Sequence, residues 1–436
     1  VSGNPAEFGG AQTKATLDKA VAQYRRDGSA DAGYAIDDIK TFTSKLPATG
    51  YEKVETPILQ PVVANTEALK TMKRRALNQA RVAAEAAAKN WTVANGTVKY
   101  SGDVPSLMAI GDAKENFEML IEWRGDSTVM GVRDIAPIAL GGAMNPAGEW
   151  NTTYVKVVND RITVEENGVK LLDNAVLTNP YDASVPAYVQ GAIMLGSKGG
   201  EVEFRDIYVR DLPSTPVFEL SAEEAAEGFK VLFDGRSMHN WEGNLTNYVP
   251  ENGNIVVTAQ YGRGGNLYTV DEYGDFIYRF EFCLDREGVN NGVGIRNTAM
   301  NVDAAYEGME IQILDHDAPA YKNLREYQVH GSVYGIIPAK RIKHKPLGEW
   351  STEEIRAVGD HITVTVNGEV ILDGNIREAC QGHNVSEDGS KRNPYTVDHK
   401  NHPGLFNKKG RISFCGHGAG VKFRNIRIKS LDEAGK

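Results

Sequence analysis

The residues best placed to do chemistry lie in the last third of the chain. Glu310-Ile311-Gln312-Ile313 alternates polar and apolar, and in a strand successive side chains point to opposite faces. Ile311 and Ile313 claim the core, so Glu310 and Gln312 share the other face, toward solvent or a groove. Arg296 alternates in the same way against Val293 and Ile295, beside Gly292 and Gly294, whose missing side chains would let a ligand approach closely. A carboxylate can accept a proton in a transition state, and a guanidinium can stabilise the negative charge that develops. A solvated sheet face would carry the same pattern. Asp315-His316-Asp317 and Asp398-His399-Lys400-Asn401-His402 offer hard oxygens and imidazoles, a donor set that could hold a divalent cation. Histidines three apart in a polar loop are, however, ordinarily solvated.

Such residues need a rigid scaffold, and the hydrophobic period says which. Before about residue 90 it is helical. Leu17, Ala20, Val21 and Tyr24 fall on one face ahead of Gly28, and Thr66 can cap a helix with the stripe Leu69, Met72, Ala76, Ala80, Ala83 and Ala87. After it the period is 2: Phe117, Met119, Ile121 and Trp123 alternate with Glu118 and Glu122, as Phe276, Tyr278, Phe280 and Phe282 do with Arg279 and Glu281. Asp211–Pro216 reads as a linker before a short helix at Ser221–Glu227.

An internal repeat organises the β region. Residues 148–173 and 348–373 share 13 of 26 positions, among them Gly-Glu-Trp, Ile-Thr-Val, Asn-Gly and Leu-Asp. Asn-Gly signals a type I′ hairpin turn, which needs positive φ at both central residues. Each repeat closes alike, Val202, Phe204-Arg205 and Ile207 matching Val421, Phe423-Arg424 and Ile426. The fold expected is mainly β: two tandem β-sandwiches at 91–212 and 217–431 after an α-helical N-terminal segment at 1–90, a scaffold or docking element. The second copy is longer by 37 residues between Arg296 and Gly348, and by 19 after Asp373. It also holds all nine histidines and all three cysteines. Where it has Glu310 and His417, the first copy reads Pro137-Ile138-Ala139-Leu140 and Lys198. Trp150, Trp350 and the Phe-Arg pairs occur in both copies and read as fold residues, as do Asp360 and Asp373.

The second copy resembles the 3-keto-disaccharide hydrolase domain family over roughly residues 227–430. The resemblance rests on Gly228-Phe229-Lys230-Val231-Leu232-Phe233-Asp234-Gly235 with Trp241, Asn291–Arg296, Gly308–Asp315, Lys345–Trp350, His417-Gly418 and Phe423–Ile428, in that order. Ser351 stands where Asn usually follows the Trp, and Phe414-Cys415-Gly416 replaces a Leu-Gln pair with its following residue. The resemblance implies a concanavalin-like jelly roll with a substrate groove, and a glycoside already oxidised at C3. A ketone there acidifies the C2 hydrogen, so the aglycone at C1 can leave by elimination before water adds. Residue chemistry then makes Glu310 or His417 the proton-transfer pair and Arg296 the enolate stabiliser, with Gln312, Lys345, Tyr334 and Asp315 as substrate contacts. Two other readings stand beside it: a lectin-like binding module, and an ordinary glycosidase using Glu310 with Asp315. The latter pair would point to opposite faces unless the strand kinks after Leu314.

Bulk properties narrow the partners. Net charge is −10 with no basic run, which argues against a nucleic-acid surface. No stretch approaches the roughly 20 apolar residues of a membrane span. Cys283, Cys380 and Cys415 lack metal-ribbon spacing. A carbohydrate is the expected partner, with no cofactor beyond the candidate cation. The expected location is the periplasm or cell surface of a bacterium, the signal being absent from this numbering.

Overall fold

The computed structural model describes residues 51–54, 59–62, 73–183, 185–258, 265–300 and 302–432. The helix expected after Leu17, and the Thr66 cap with Leu69 and Met72, lie outside the described residues. The chain divides into two units that part at Ser214–Thr215, with residues 183–186 belonging to the second.

Both units follow one strand plan, built of antiparallel pairs. In the first, the larger sheet runs in the order Val169–Val176, Arg161–Glu166, Asn151–Val158, Phe117–Arg124, Val202–Asp211, Thr97–Tyr100, Trp91–Ala94. In the second it runs Glu369–Asn375, His361–Val366, Trp350–Val358, Phe276–Leu284, Val421–Ser430, Asn254–Val257, Tyr248–Glu251. The smaller sheet of the first unit has four strands: Leu59–Pro61, Ser106–Lys114, Gly191–Ser197 and Thr128–Gly131. That of the second has five. In chain order they are β1 (Trp241–Gly243), β2 (Leu267–Tyr273), β3 (Asn290–Asn297), β4 (Met309–Leu314) and β5 (Gly410–Phe414), and they lie side by side as β1-β2-β5-β3-β4. Strand β4 has no counterpart among the described residues of the first unit.

The repeated landmarks occupy equivalent places. Asn167 and Asn367 both have φ 50°, followed by Gly168 and Gly368 at 83° and 84°, as a type I′ turn requires. Arg205 lies 3.8 Å from the Trp150 ring and Arg424 lies 3.9 Å from that of Trp350. Their Nε atoms donate to Glu122 and Glu281 across the neighbouring strand. Inside the second sandwich, Trp241, Phe280, Phe414 and Phe423 stack from the two sheets into one core.

One boundary differs from the sequence reading. Glu52–Lys53 pairs with Val202–Asp211, and Leu59–Pro61 with Ser106–Lys114, so the first sandwich begins well upstream of residue 91. Strands of two or three residues are too short to display alternation, and Pro61 is tolerated because its strand is an edge. The helix is α1 (Arg74–Ala88). Its inward stripe is Leu77, Ala80, Ala84 and Ala87, while Ala76 and Ala83 are exposed, so the larger Leu77 sets the face. The short α2 (Ala222–Glu227) is capped as expected, Ser221 accepting from the Glu224 N–H.

One correction bears on chemistry. Arg296 is 1% exposed. Its Nε donates to Gly274 O, and its terminal nitrogens donate to Gly359 O and to Asp275 Oδ1. Arg133 does the same in the first sandwich, donating to Glu115 O, Tyr188 O and Asn116 Oδ1. Both have positive φ, 50° and 55°; at Arg296, inside Asn290–Asn297, this breaks the strand alternation and turns the side chain inward. Arg296 is a structural staple, not an enolate stabiliser. Removing one partner of a buried charged network costs about 3–5 kcal/mol. Arg133→Met and Arg296→Met should each lose about that much in urea unfolding, and a loss below about 1 kcal/mol in either would contradict the staple.

Candidate active site

Strand β4 carries the site. Met309, Ile311 and Ile313 enter the core, which leaves Glu310 and Gln312 on the opposite face, as alternation requires. Gly292 and Gly294 of β3 pair with Gln312 and Glu310. A Cβ on Gly292 would run into the Glu310 carboxylate, and one on Gly294 into the Ser413 hydroxyl. The space the glycines free is thus filled by the protein's own polar groups rather than by a ligand.

Glu310 is only 6% exposed, and among the described residues its Oε1 has no hydrogen-bond partner. The His417 Nε2 lies 3.6 Å from that oxygen, and its side chain is 46% exposed. The Glu310 carboxylate raises the His417 pKa, partial burial opposes it, and the charge of Asp303 adds to the rise. His417 is held by its loop: Cys415 N–H donates to Gly292 O, and Gly416 N–H to Asn266 Oδ1. Cys415 is itself buried, and burial pushes its thiol far up.

The other expected residues divide. Gln312 lies beside Glu310, its amide donating to Asn290 Oδ1 at 3.1 Å. Tyr334 is adjacent too: its N–H donates to Glu310 O, and its hydroxyl accepts from Gln328. Lys345 is not a groove residue. Its Nζ donates to Trp350 O at 2.6 Å, as Asn145 Nδ2 does to Trp150 O in the first sandwich. Asp315 braces a turn by accepting from Gly288 N–H, so it does not complete a carboxylate pair with Glu310. Ser351 keeps its loop contact, accepting from Asn367 where Asn151 accepts from Asn167.

The cation donors are dispersed. His316 uses one ring nitrogen on Ile342 O and the other on His330 N–H, Asp317 is exposed beside Arg341, and Asp398 pairs with His402. Among the described residues no group of three or more His, Cys, Asp or Glu is arranged to hold a metal ion.

Three features escaped the sequence reading. The two insertions interlock: His402 Nδ1 bonds Ala305 O, Gly404 N–H bonds Tyr306 O, and Lys400 Nζ bonds the Tyr306 hydroxyl. Segment 331–334 extends the sheet beyond β4, through Gly331 N–H to Gln312 O and Gln312 N–H to Ser332 O. Behind β4, His316, His330 and His344 cluster with ring centroids 4.3–6.4 Å apart. His330 Nδ1 accepts from Leu314 N–H, so its Nε2 carries the proton, 3.2 Å from the fully buried Glu353. The only sequence hint was that every histidine falls in the longer copy.

Two face-packed antiparallel sheets with a carboxylate–imidazole pair on the outer side of the smaller one place the chain among the concanavalin-like jelly rolls, as a carbohydrate-active protein. More particularly, residues 129–210 and 228–429 match the 3-keto-alpha-glucoside-1,2-lyase-like domain, and the chain belongs to that family. A 3-keto-disaccharide hydrolase of Bacteroides thetaiotaomicron is 26% identical over 264 residues, covering 52% of this chain and 86% of that protein. A Parabacteroides distasonis structure named provisionally as a glycosyl hydrolase is 24% identical, with a TM-score of 0.40, over 49% of this chain and 99% of its own. A Bacillus subtilis protein of galectin-like fold and unknown function is 11% identical, with a TM-score of 0.26, over 50% of this chain and 94% of its own. No helix among the described residues is long and apolar enough to cross a membrane.

Two measurements follow. The His417 imidazole should titrate by NMR above the ordinary histidine value of about 6.5, and Glu310→Gln should bring it down. A midpoint that Glu310→Gln leaves in place would separate the pair. Burial lowers His330 and His344 to about 3. Below about 6.5 the unfolded chain therefore binds protons that the folded chain refuses, and stability falls as pH falls. Buried Glu353 is pushed up and so acts oppositely, losing stability as pH rises above about 4.5. Two imidazoles outweigh one carboxyl, so the melting temperature should drop from pH 6.5 to 4.5, and His344→Phe should shrink the drop. An undiminished drop in that variant would contradict the assignment.

Proposed function

We propose that the second sandwich cleaves glycosides oxidised at C3, by elimination followed by hydration. Glu310 takes the C2 proton, and the electron pair forms an enolate toward the C3 oxygen. The enolate collapses to a C1–C2 double bond as the C1–oxygen bond breaks, and His417 as imidazolium protonates the leaving aglycone oxygen. Water then adds at C1 and a proton returns to C2, so the net change is hydrolysis. The observation that carries this reading is the Glu310–His417 pair: a carboxylate oxygen that accepts no hydrogen bond among the described residues, 3.6 Å from a half-exposed imidazole whose pKa it raises. A base and an acid side by side suit removal of a proton and protonation of a leaving group on adjacent carbons. Family membership and the Bacteroides relative support the substrate class. The first sandwich, with Lys198 at the place of His417, is an accessory copy. A periplasmic or cell-surface location suits such a substrate.

The test is Glu310→Gln with a 3-keto-glucoside. Turnover should fall by about 10²-fold or more, the scale of general-base loss, while binding changes little. The unoxidised glucoside should be inert throughout, because without the ketone the C2 hydrogen is not acidic. Efficient cleavage of the plain glucoside would replace elimination with an ordinary glycosidase mechanism. Binding of both sugars without turnover of either, with or without divalent metal, would make the protein a lectin.

A further inference from the structure

With Arg296 stapled into the core, the elimination reading lacks a group to stabilise the enolate oxygen, and the interlocked insertions hold one. We propose that Lys400 and Tyr306 form a donor pair that recognises the C3 oxygen of the oxidised sugar. This rests on the 3-keto-glycoside reading.

Tyr306 lies on α3 (Ala304–Glu307), a single turn capped by Asp303. That turn starts beside the catalytic pair. Asp303 acts electrostatically on His417, and Ala304 packs over Gly294, the register partner of Glu310. Tyr306 belongs to the same turn. From the other insertion, Lys400 Nζ donates to the Tyr306 hydroxyl oxygen at 2.7 Å. Because that oxygen accepts from Lys400, the phenolic proton is left to donate outward. Lys400 is exposed and Tyr306 half-buried. Tyr334, bonded through its N–H to Glu310 O, lies within electrostatic range of both.

The pair is built on a rigid base. Asp398 Oδ1 accepts from Lys400 N–H at 2.9 Å and lies 3.1 Å from His402 Nε2. His402 Nδ1 must donate to Ala305 O, since a carbonyl only accepts. The His402 Nε2 faces the Asp398 carboxylate, and both side chains are buried. The Tyr306 ring rests against the His402 ring, centroids 4.8 Å apart. One buried dyad thus fixes the Lys400 backbone and the Tyr306 ring together. Preorganised donors act where charge develops because they need no reorganisation as it appears.

The experiment compares Lys400→Met, Tyr306→Phe and Lys400→Arg in the full chain, with a 3-keto-glucoside as probe and the unfolding midpoint recorded for each. Loss of one oxyanion donor costs about 10²–10³-fold in kcat. Lys400→Met should show that loss with a small change in KM and a wild-type midpoint, Tyr306→Phe a smaller one, and Lys400→Arg a partial recovery. Wild-type kcat in Lys400→Met would overturn the proposal, as would a loss that tracks the unfolding midpoint. If the wild-type protein binds the 3-keto-glucoside without turning it over, the elimination reading fails alone. Binding then decides the pair: a tenfold or greater weakening in Lys400→Met upholds it and unchanged affinity overturns it. A wild-type protein that neither binds nor turns over the probe overturns both.

Discussion

A buried guanidinium ties the two sheets of each sandwich at one rim. Hydrophobic contact between sheets is strong but non-directional. A guanidinium has five N–H donors in a fixed plane and cannot shed its charge, so the groups around it must take specific positions. Arg133 and Arg296 each meet that demand with two backbone carbonyls; Arg296 adds Asp275 Oδ1, and Arg133 adds Asn116 Oδ1 and Asp160 Oδ1. The price is a residue at positive φ, near the end of a strand at Arg296 and in the turn after one at Arg133, a strain of roughly 1–3 kcal/mol. In return, the turn before the central strand of the larger sheet is locked to the end of a strand in the smaller one. Everything outside that lock, including the new edge strand of the second sandwich, can vary without unseating the two sheets.

The candidate site lies at that edge. An added strand exposes backbone donors and acceptors that must be paired or solvated. Strand β4 is paired on one side by β3 and on the other by segment 331–334. With both sides satisfied, its outward residues can include a carboxylate that is itself left short of partners. The second insertion then packs on the first through His402, Lys400 and Gly404. A site assembled from two loops on a shared buried dyad is more precise than loops alone would allow, which electrostatic catalysis requires.

The core behind β4 resolves the same polar problem differently in the two copies. Thr153 accepts from Trp123 Nε1 in the first sandwich. At the equivalent place the second has Glu353, buried, facing His330. An ionisable group in a core is costly unless paired. Here Glu353 lies 3.2 Å from His330 Nε2, and His330 Nδ1 accepts from the Leu314 N–H at the end of β4, so the core histidines pack directly behind the strand that bears Glu310.

Much of this architecture could be read from residue order, because strand alternation, Asn-Gly turns and the repeat of Gly-Glu-Trp are local signals with local physical causes. The same alternation put Glu310 and Gln312 on one face, and a short list of motifs placed His417 at the site. Arg296 failed because alternation holds only while the backbone stays extended, and one residue at positive φ reverses it. Lys345 failed because a lysine four bonds long reaches whatever oxygen is nearest, here Trp350 O. Tyr306 and Lys400 were invisible as a pair because 94 residues separate them, and no local rule brings two insertions together. Periodicity, turns and repeat determined the sandwiches; packing between distant loops decided which polar residues line the candidate site and which hold the fold.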